Sequence, residues 1–463
     1  MRRWILPAVL ALVTSSSAVL AVRAPGPADE GGQAGPAVRA PVLSPRRLPA
    51  LLAQVVADTR LRSALDQALG DPALGGGRER SCLVVRHGRR PIFERRPDER
   101  LIPASNLKVL TGLAVLAKLG PGERLVTEVR TGKPTAGGVV EGPLWLVGGG
   151  DPLLGTVDYA ASFVNQPQLY TPMETLADEV VAAGVREVRG GVMGDETRYD
   201  TQRYVPTWRP VYATAAEVGP ASALVVNDGF VVFTPRHVAA PEPDVHAAGV
   251  LTALLQARGV AVTGAPGQGS APSGASTLAR VASAPMREVV AEMLRESDNL
   301  TAELLVKELG RRYADQGTTA AGIGVVRETL LGAGLPVAHL VAVDGSGLDR
   351  SDRASCTLLM AALDVGGRHG PVAAGLPVAG RDGTLSRRFL GNPAAGRLQA
   401  KTGALEGVAG LTGYLDLPGA EPLVFSLLVN ELPRDAVGRA IQERVGAILA
   451  TYPQAPSPEA LGP

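Results

Sequence analysis

A serine and a lysine lie three residues apart, as Ser105 and Lys108, at the start of the apolar segment PASNLKVLTGLAVLAKLG. The segment predicts a helix, on which residues three apart are neighbours, so the hydroxyl and the amine can come within hydrogen-bonding distance. A serine becomes a good nucleophile when a base removes its proton, and a lysine can be that base once burial or a nearby cation lowers its pKa. An isolated S-x-x-K more often marks a helix cap and a solvated lysine. The interpretation therefore depends on the motifs that accompany the pair.

Two such motifs follow along the chain. Ser297 and Asn299 are the ends of an S-D-N sequence at the predicted start of a helix, where a hydroxyl and an amide can relay a proton and orient a substrate amide. Lys401, Thr402 and Gly403 form K-T-G at the end of a β-type run. A strand edge there can pair with an extended peptide, a glycine allows close backbone approach, and a lysine supplies positive charge for a carboxylate. Taken alone, S-D-N is a helix cap and K-T-G is a turn with a surface lysine.

In this order, S-x-x-K, S-D-N and K-T-G are the signature of class A β-lactamases and penicillin-binding proteins. The sequence resembles the class C low-molecular-mass penicillin-binding proteins, the D-alanyl-D-alanine carboxypeptidases and endopeptidases of the penicillin-binding protein 4 type. The resemblance runs from about Leu48 to Tyr452 and includes the segments GGGDPLL, GDETRY, DGSGLDR and LPVAGRDGTLSRRF. The separation between Ser105 and Ser297 is far longer than in β-lactamases and is similar to that of relatives with inserted domains.

The resemblance implies an acyl-enzyme mechanism on the terminal D-Ala-D-Ala bond of peptidoglycan stem peptides. In it, Ser105 is the nucleophile and Lys108 takes its proton. Ser297 and Lys401 pass a proton to the leaving amine, and Asn299 holds the substrate amide. β-Lactam antibiotics are expected to acylate the same serine. The group includes endopeptidases that open D-alanyl-diaminopimelate cross-links, and the sequence leaves the balance of the two activities open.

The resemblance also assigns the substrate-binding residues around K-T-G. Lys401 and Thr402 bind the terminal carboxylate, beside Gly403, and the backbone N–H groups of Ser105 and Ala404 form the oxyanion hole. Many relatives carry Ser or Thr where this chain has Ala404. A side-chain hydrogen bond to the carboxylate is therefore expected to be missing.

Two positions outside the three motifs match residues with which relatives bind a diaminopimelate-type side chain. Asp195 is suited to the amine of that side chain and Arg350 to its carboxylate. The alternatives are that Asp195 is a turn residue and that Arg350 forms a structural salt bridge. No cofactor and no metal is implied, because the five histidines show no ligand spacing such as H-E-x-x-H.

Two other functions stay open at this point. The nearest enzymatic alternative is a β-lactamase, which the long insertion opposes. The alternative from a different class of protein is a catalytically inactive peptidoglycan-binding scaffold. The retained serines and lysines argue against it. A net charge of +1 gives no bulk electrostatic reason to expect a nucleic-acid partner.

The helices and strands predicted around these residues indicate an α+β fold. We expect a DD-peptidase domain in which helices flank an antiparallel sheet. Residues 47–126 and 285–455 are expected to form this discontinuous domain, and residues 127–284, with short β-type runs and interleaved helices, one or more inserted domains. Residues 456–463 are a C-terminal tail. At this length, two or more structural units are the expected arrangement.

The N-terminus predicts export. Arg2 and Arg3 precede an apolar run and then small residues, so residues 1–24 are interpreted as a signal peptide, with an uncleaved membrane anchor as the alternative. Residues 25–46 are a Pro/Ala/Gly-rich tether. The body of the protein is then expected in the periplasm or cell envelope, where Cys82 and Cys356 form either one disulfide or two separate buried thiols.

Overall fold

The computed structural model describes residues 48–132 and 137–457. Within this part of the chain, Ala53–Ser457 make up one unit. The predicted signal peptide (1–24), the tether (25–46) and most of the predicted C-terminal tail (456–463) lie outside the described residues.

The described helices and strands are numbered here in chain order. The helices are α1 (Leu48–Leu69), α2 (Leu107–Leu119), α3 (Val157–Ser162), α4 (Met173–Ala182), α5 (Val211–Thr214), α6 (Pro243–Ala257), α7 (Met286–Glu296), α8 (Asn299–Tyr313), α9 (Thr319–Gly332), α10 (Cys356–Gly366), α11 (Pro371–Gly375) and α12 (Asp435–Ala450). The strands are β1 (Ser81–His87), β2 (Arg90–Arg95), β3 (Val126–Thr131), β4 (Val139–Val140), β5 (Leu144–Val147), β6 (Leu154–Gly155), β7 (Thr171–Pro172), β8 (Glu187–Val188), β9 (Val192–Asp195), β10 (Phe230–Val232), β11 (Val238–Ala239), β12 (Ala261–Val262), β13 (Gly267–Gln268), β14 (Ser276–Ala282), β15 (Leu398–Leu405), β16 (Val408–Leu417) and β17 (Ala420–Val429).

A five-stranded antiparallel sheet joins the two ends of the described chain. Its strand order is β15-β16-β17-β1-β2, so the hairpin β1–β2 pairs with the C-terminal meander. The turn between β1 and β2 contains Gly88, with φ +57°. The prediction of an antiparallel sheet with flanking helices is confirmed.

Helices cover both faces of this sheet because successive side chains of a strand point to opposite sides. On β1, Cys82 and Val84 belong to the core formed with α2, α7, α8 and α10. Leu83 and Val85 belong to the core on the other face, which includes residues of α1 and α12. The helices that carry the predicted chemistry thus all pack on one face.

A second group of elements lies between β3 and β14. The strands β13-β9-β5-β3-β14 form a mixed sheet, in which β5, β9 and β13 run parallel, and β12-β8-β4 form a small parallel sheet. Apolar residues of α4 and α6 pack against these strands in a core of their own. The predicted boundaries of an inserted domain, 127–284, stay a prediction.

Cys82 and Cys356 form a disulfide between β1 and α10, across 274 residues of sequence. Of the alternatives that the sequence left open, the single disulfide is the one present. Both cysteines are fully buried in the core that packs on α2. Within the described ranges, no helix has the length and apolarity needed to cross a lipid bilayer.

Candidate active site

The serine and the lysine of S-x-x-K lie at the junction of two kinds of helix. A short 3₁₀ turn, Ala104–Asn106, leads into α2, so Ser105 is in the turn and Lys108 in the first turn of the α-helix. The Lys108 Nζ atom donates to Ser105 Oγ at 3.2 Å. The predicted proximity of the two side chains is therefore present, and α2 ends at Leu119 with Gly120 as its C-cap.

Lys108 is held in a buried polar cage. Its Nζ atom also donates to Asn299 Oδ1 at 2.6 Å and to the backbone oxygen of Ser346 at 2.8 Å, and its side chain has no exposure to solvent. Burial lowers the pKa of Lys108 from 10.5 to about 8, although the negative charges of Asp344, Asp298 and Glu303 oppose the shift. A substantial fraction of the amine is thus neutral in mildly alkaline solution and able to accept a proton.

The S-D-N motif forms the bend between α7 and α8. Ser297 adopts a left-handed conformation with φ +65°, and Asp298 caps α8 by accepting a hydrogen bond from the Thr301 N–H. The strained bend turns Ser297 toward K-T-G, where Lys401 Nζ donates to Ser297 Oγ at 2.8 Å. Each serine in the site thus has its own buried lysine.

Lys401 is as buried as Lys108. Its Nζ atom also donates to the backbone oxygen of Thr402 at 3.0 Å. Burial, together with the nearby charge of Lys108, lowers the pKa of Lys401 well below its usual value. Because the charge of Lys108 disfavours a second buried ammonium group at Lys401, the site favours states in which at least one of the two amines is neutral.

Strand β15 packs directly on the 3₁₀ turn that carries Ser105. A Cβ atom at Gly403 would lie 2.4 Å from Asn106 Nδ2 and 2.7 Å from the Pro103 carbonyl oxygen. On the neighbouring strand β16, a Cβ atom at Gly410 would lie 2.2 Å from the same Asn106 nitrogen. The glycine of K-T-G is therefore required for contact between the strand and the turn, as its residue type predicts.

Among the residues that the structure describes, backbone groups pair with the outer edge of β15 only along its first half. The N–H of Ala400 donates to Pro377 O at 3.0 Å, and the N–H of Ala379 donates to Leu398 O at 2.9 Å. Because residues of an antiparallel strand alternate between the two edges, the N–H groups of Thr402 and Ala404 point away from β16 as that of Ala400 does. Along the second half no backbone group of the described residues pairs with this edge, and we call this half the open edge.

These groups surround one cleft of about 770 Å³. Among the residues that line it are Ser105, Ser297, Asn299, Thr402, Gly403 and Ala404. Lys108 and Lys401 are buried behind the two serines and reach the cleft through them. Among the described residues, no cluster of His, Cys, Asp or Glu side chains has a geometry that could hold a metal ion.

The sequence profile of the D-Ala-D-Ala carboxypeptidase 3 (S13) family matches residues 61–239 and 233–452. The chain belongs to this family. It is 31% identical to a D-alanyl-D-alanine carboxypeptidase of Actinomadura sp. (strain R39), over 84% of each chain. The residues that match the family profile include both five-stranded sheets and all three motifs.

Solved structures show the same fold. The crystal structure of penicillin binding protein 4 (dacB) from Haemophilus influenzae matches with a TM-score of 0.68 and 18% identity, over 80% of this chain and 95% of that chain. The same protein complexed with a β-lactam matches with a TM-score of 0.61 and 19% identity, over the same shares of the two chains.

The structure does not bring Asp195 and Arg350 into the lining of the cleft. Asp195 ends β9 and is nearly fully buried; one carboxylate oxygen accepts from the N–H and hydroxyl of Thr197, and the other from the Ala271 N–H. Arg350 is exposed and donates to the backbone oxygen of Glu406, a residue of the cleft rim. Their roles in binding a diaminopimelate-type side chain stay a prediction.

Sequence reasoning missed Glu303, which supports the cage around Lys108. One oxygen of this buried carboxylate accepts from the N–H groups of Gly345 at 3.0 Å and Ser346 at 2.8 Å, and so fixes the carbonyl that receives Lys108. Glu303 lies one helical turn after Asn299 on α8, and that i, i+4 spacing was the available signal.

Proposed function

We propose that this chain is an extracytoplasmic serine DD-peptidase that hydrolyses the terminal D-alanyl-D-alanine bond of peptidoglycan stem peptides and is acylated by β-lactams. The observation that carries the proposal is the pair of serine–lysine contacts, Lys108 with Ser105 and Lys401 with Ser297, at one cleft beside an open strand edge. Family membership gives this arrangement its substrate.

The geometry supports a specific division of labour. Lys108 accepts the proton of Ser105 as the serine attacks the carbonyl carbon of the penultimate D-alanine. The backbone N–H groups of Ser105 and Ala404 hold the developing oxyanion, each such donor typically contributing about 3 kcal/mol to transition-state stabilisation. Ser297, hydrogen-bonded to Lys401, is placed to deliver a proton to the leaving amine, after which water releases the acyl group.

Asn299 connects Lys108 to the backbone at Glu217. Its Oδ1 atom accepts from Lys108, while its Nδ2 atom donates to the backbone oxygen of Glu217 at 2.6 Å. An amide nitrogen has two hydrogens, so one remains for a substrate carbonyl. Asn299 would thereby position the base, Lys108, and the substrate peptide relative to each other.

Location outside the cytoplasm is supported by two independent features. The N-terminal sequence has the order of a secretory signal. The Cys82–Cys356 disulfide is of the kind that persists in oxidising compartments. Membrane attachment would come only through the N-terminal segment if it were left uncleaved.

Intact-protein mass spectrometry of the full chain after incubation with benzylpenicillin tests the proposal. We expect one stable adduct on the wild type, its loss in Ser105→Ala, and its retention in the control Ser276→Ala, which removes an exposed hydroxyl of β14. Release of D-alanine from a synthetic D-Ala-D-Ala peptide should follow the same pattern. The absence of an adduct on folded wild type would favour the binding scaffold, and rapid adduct loss with consumption of penicillin would favour a β-lactamase.

A further inference from the structure

The open edge of β15 begins beside a second threonine. The Oγ1 atoms of Thr384 and Thr402 are 3.0 Å apart, and both residues line the cleft. Thr384 is in the middle of the 3₁₀ turn Gly383–Leu385, outside the three sequence motifs. Two hydroxyl groups therefore face the place where the carboxylate of a substrate is expected.

The turn that carries Thr384 is fixed on both sides. Gly383 has φ +49°, and a Cβ atom there would lie 2.3 Å from the Arg295 carbonyl oxygen, so the turn packs against the end of α7 just before Ser297. Asp382 accepts from the Val378 N–H at 2.8 Å, and Leu385 is fully buried. The Thr384 hydroxyl thus has a set position relative to both Ser297 and Thr402.

The same segment closes one end of the strand edge. Residues 377–379 already pair with Leu398 and Ala400, so a substrate strand can pair with β15 only from Thr402 onward. The unpaired part of the edge therefore begins at Thr402, whose Oγ1 atom lies 3.0 Å from that of Thr384. Because β15 runs from Leu398 to Leu405, a peptide that pairs antiparallel with this part would have its C-terminal end near the two threonines.

Two cationic side chains are close in sequence to the two threonines. Lys401 is buried next to Thr402, and Arg388, four residues after Thr384, lines the cleft. The acidic residues of the whole cleft lining are Glu217, Asp228, Glu292, Glu296, Asp298, Glu406 and Asp435. Arg388 is held by Glu443, which accepts from Arg388 Nε at 3.1 Å, and by Gln442, whose Oε1 accepts from Arg388 Nη1 at 2.7 Å. Gln442 Nε2 in turn donates to the backbone oxygen of Gly410 at 2.7 Å. Gln442 thus connects the Arg388 guanidinium to β16, the strand beside β15.

We propose that Thr384 is a specificity-determining residue of this enzyme: its hydroxyl, paired with that of Thr402, binds the free carboxylate of the residue that is cleaved off. This deepens the proposed function and rests on it. Ala404 offers no hydroxyl, so the second side-chain donor to the carboxylate comes from the turn instead of from the strand. The enzyme then cleaves peptides with a free carboxylate next to the scissile bond faster than those in which that carboxylate is blocked.

The test compares a synthetic stem peptide ending in D-Ala-D-Ala with the same peptide as its C-terminal amide. For Thr384→Val we expect kcat/KM on the free acid to fall at least about tenfold, the usual size of a lost hydrogen bond to a charged group, and kcat/KM on the amide to change less than about twofold. Thr384→Ser keeps the hydroxyl and should keep the wild-type preference. The matched control is Thr263→Val, which removes a hydroxyl bonded to backbone oxygens outside the cleft.

The amide rate shows that a variant has an intact site, and Thr384→Ala provides a second hydroxyl-free side chain if valine does not fit. An equal fall in kcat/KM on both peptides would mean that Thr384 only supports the strand. An unchanged kcat/KM on both would mean that Thr384 does not contact the carboxylate. Both results overturn the inference. Failure of the wild type to cleave either peptide would instead overturn the proposed function, and this inference with it.

Discussion

At the scale of single residues, the site depends on burying lysines without neutralising them by a salt bridge. Lys108 donates to a hydroxyl, an amide oxygen and a backbone carbonyl, none of which is charged. Burial without a directly bonded carboxylate is what lowers its pKa to about 8. A carboxylate in direct contact would raise the pKa and remove the base.

The first prediction concerns the pH dependence of acylation. Because only neutral Lys108 accepts a proton, the acylation rate with benzylpenicillin should rise about tenfold per pH unit below pH 8 and level off above it. Rapid-quench mass spectrometry between pH 6 and 10 measures this. Lys108→Arg should abolish acylation, since a guanidinium stays charged throughout this range. A flat profile would mean that Lys108 is not the base.

A second prediction separates charge from geometry at Glu303. Burial raises the pKa of Glu303 to about 8, and its carboxylate charge raises the pKa of Lys108 in turn, as do Asp344 and Asp298. Glu303→Gln keeps an oxygen for the Gly345 and Ser346 N–H groups but removes the charge. The midpoint of the acylation profile should therefore move to lower pH.

The companion variants make the Glu303 test decisive. Glu303→Ala also removes the hydrogen-bond acceptor, so it should lower the plateau rate itself, because the Ser346 carbonyl loses its support. Glu328→Gln, a change of an exposed glutamate on α9, should leave the profile unchanged. If the midpoint of the acylation profile did not change in Glu303→Gln, the Glu303 carboxylate would act only as a hydrogen-bond acceptor for the Gly345 and Ser346 N–H groups.

The residues around Lys108 show which parts of the site could be predicted from the sequence. The three motifs, through the resemblance that they carry, assigned Ser105, Lys108, Ser297, Asn299 and Lys401 to the site, and the structure brings these five side chains together. Glu303 and Thr384 gave no motif signal, because their partners are backbone groups or residues distant in sequence. Asp195 was assigned by resemblance alone, and its hydrogen bonds to its own surroundings could not be read from a sequence.

At the scale of elements, the site is assembled from a turn, a helix junction and a strand edge that approach each other through glycines. Gly347, in the D-G-S-G segment, has φ +84°, and a Cβ atom there would lie 2.1 Å from the Ala104 carbonyl oxygen. Ala104 itself has φ +47°, immediately before Ser105. The serine turn is thus held in an unusual conformation by a backbone contact that side chains would prevent.

The third prediction tests this contact. Gly347→Ala combines an unfavourable φ with a clash against backbone, so we expect a loss of about 3 kcal/mol or more in the free energy of unfolding. Gly324→Ala is the matched control: Gly324 lies on α9 with open space around it, and alanine there should stabilise by up to about 1 kcal/mol. Thermal unfolding should shift in opposite directions in the two variants. Equal midpoints would mean that the D-G-S-G segment can move away from the serine turn at little cost.

At the scale of the whole molecule, the sheet unites segments that are far apart in sequence. β1 pairs with β17, and the long group of elements from β3 to β14 lies between them in the chain. The sequence predicted the fold class and the β-type run that ends at K-T-G, because residue alternation and turn residues are local signals. It could not specify which of two cysteine arrangements applies, since that depends on β1 and α10 packing face to face.

The disulfide carries the last prediction. Cys82–Cys356 joins β1 to α10 across 274 residues, so it restricts the unfolded chain strongly. Its loss in Cys82→Ala/Cys356→Ala should lower the free energy of unfolding by about 3 kcal/mol or more. Each single variant should lose nearly as much as the double, because one cysteine cannot form the bridge. A reductant should lower the unfolding temperature of the wild type and leave that of the double variant unchanged, as measured by circular dichroism.

The rate of acylation should respond differently from stability. Neither cysteine is a hydrogen-bond partner of Lys108, so the double variant should be acylated by benzylpenicillin at the wild-type rate at temperatures where it is folded. If acylation fell while the fold stayed intact, β1 and α10 would have to move relative to α2 when the bridge is absent, since all three share one core. The disulfide would then help to position Lys108 as well as to stabilise the fold.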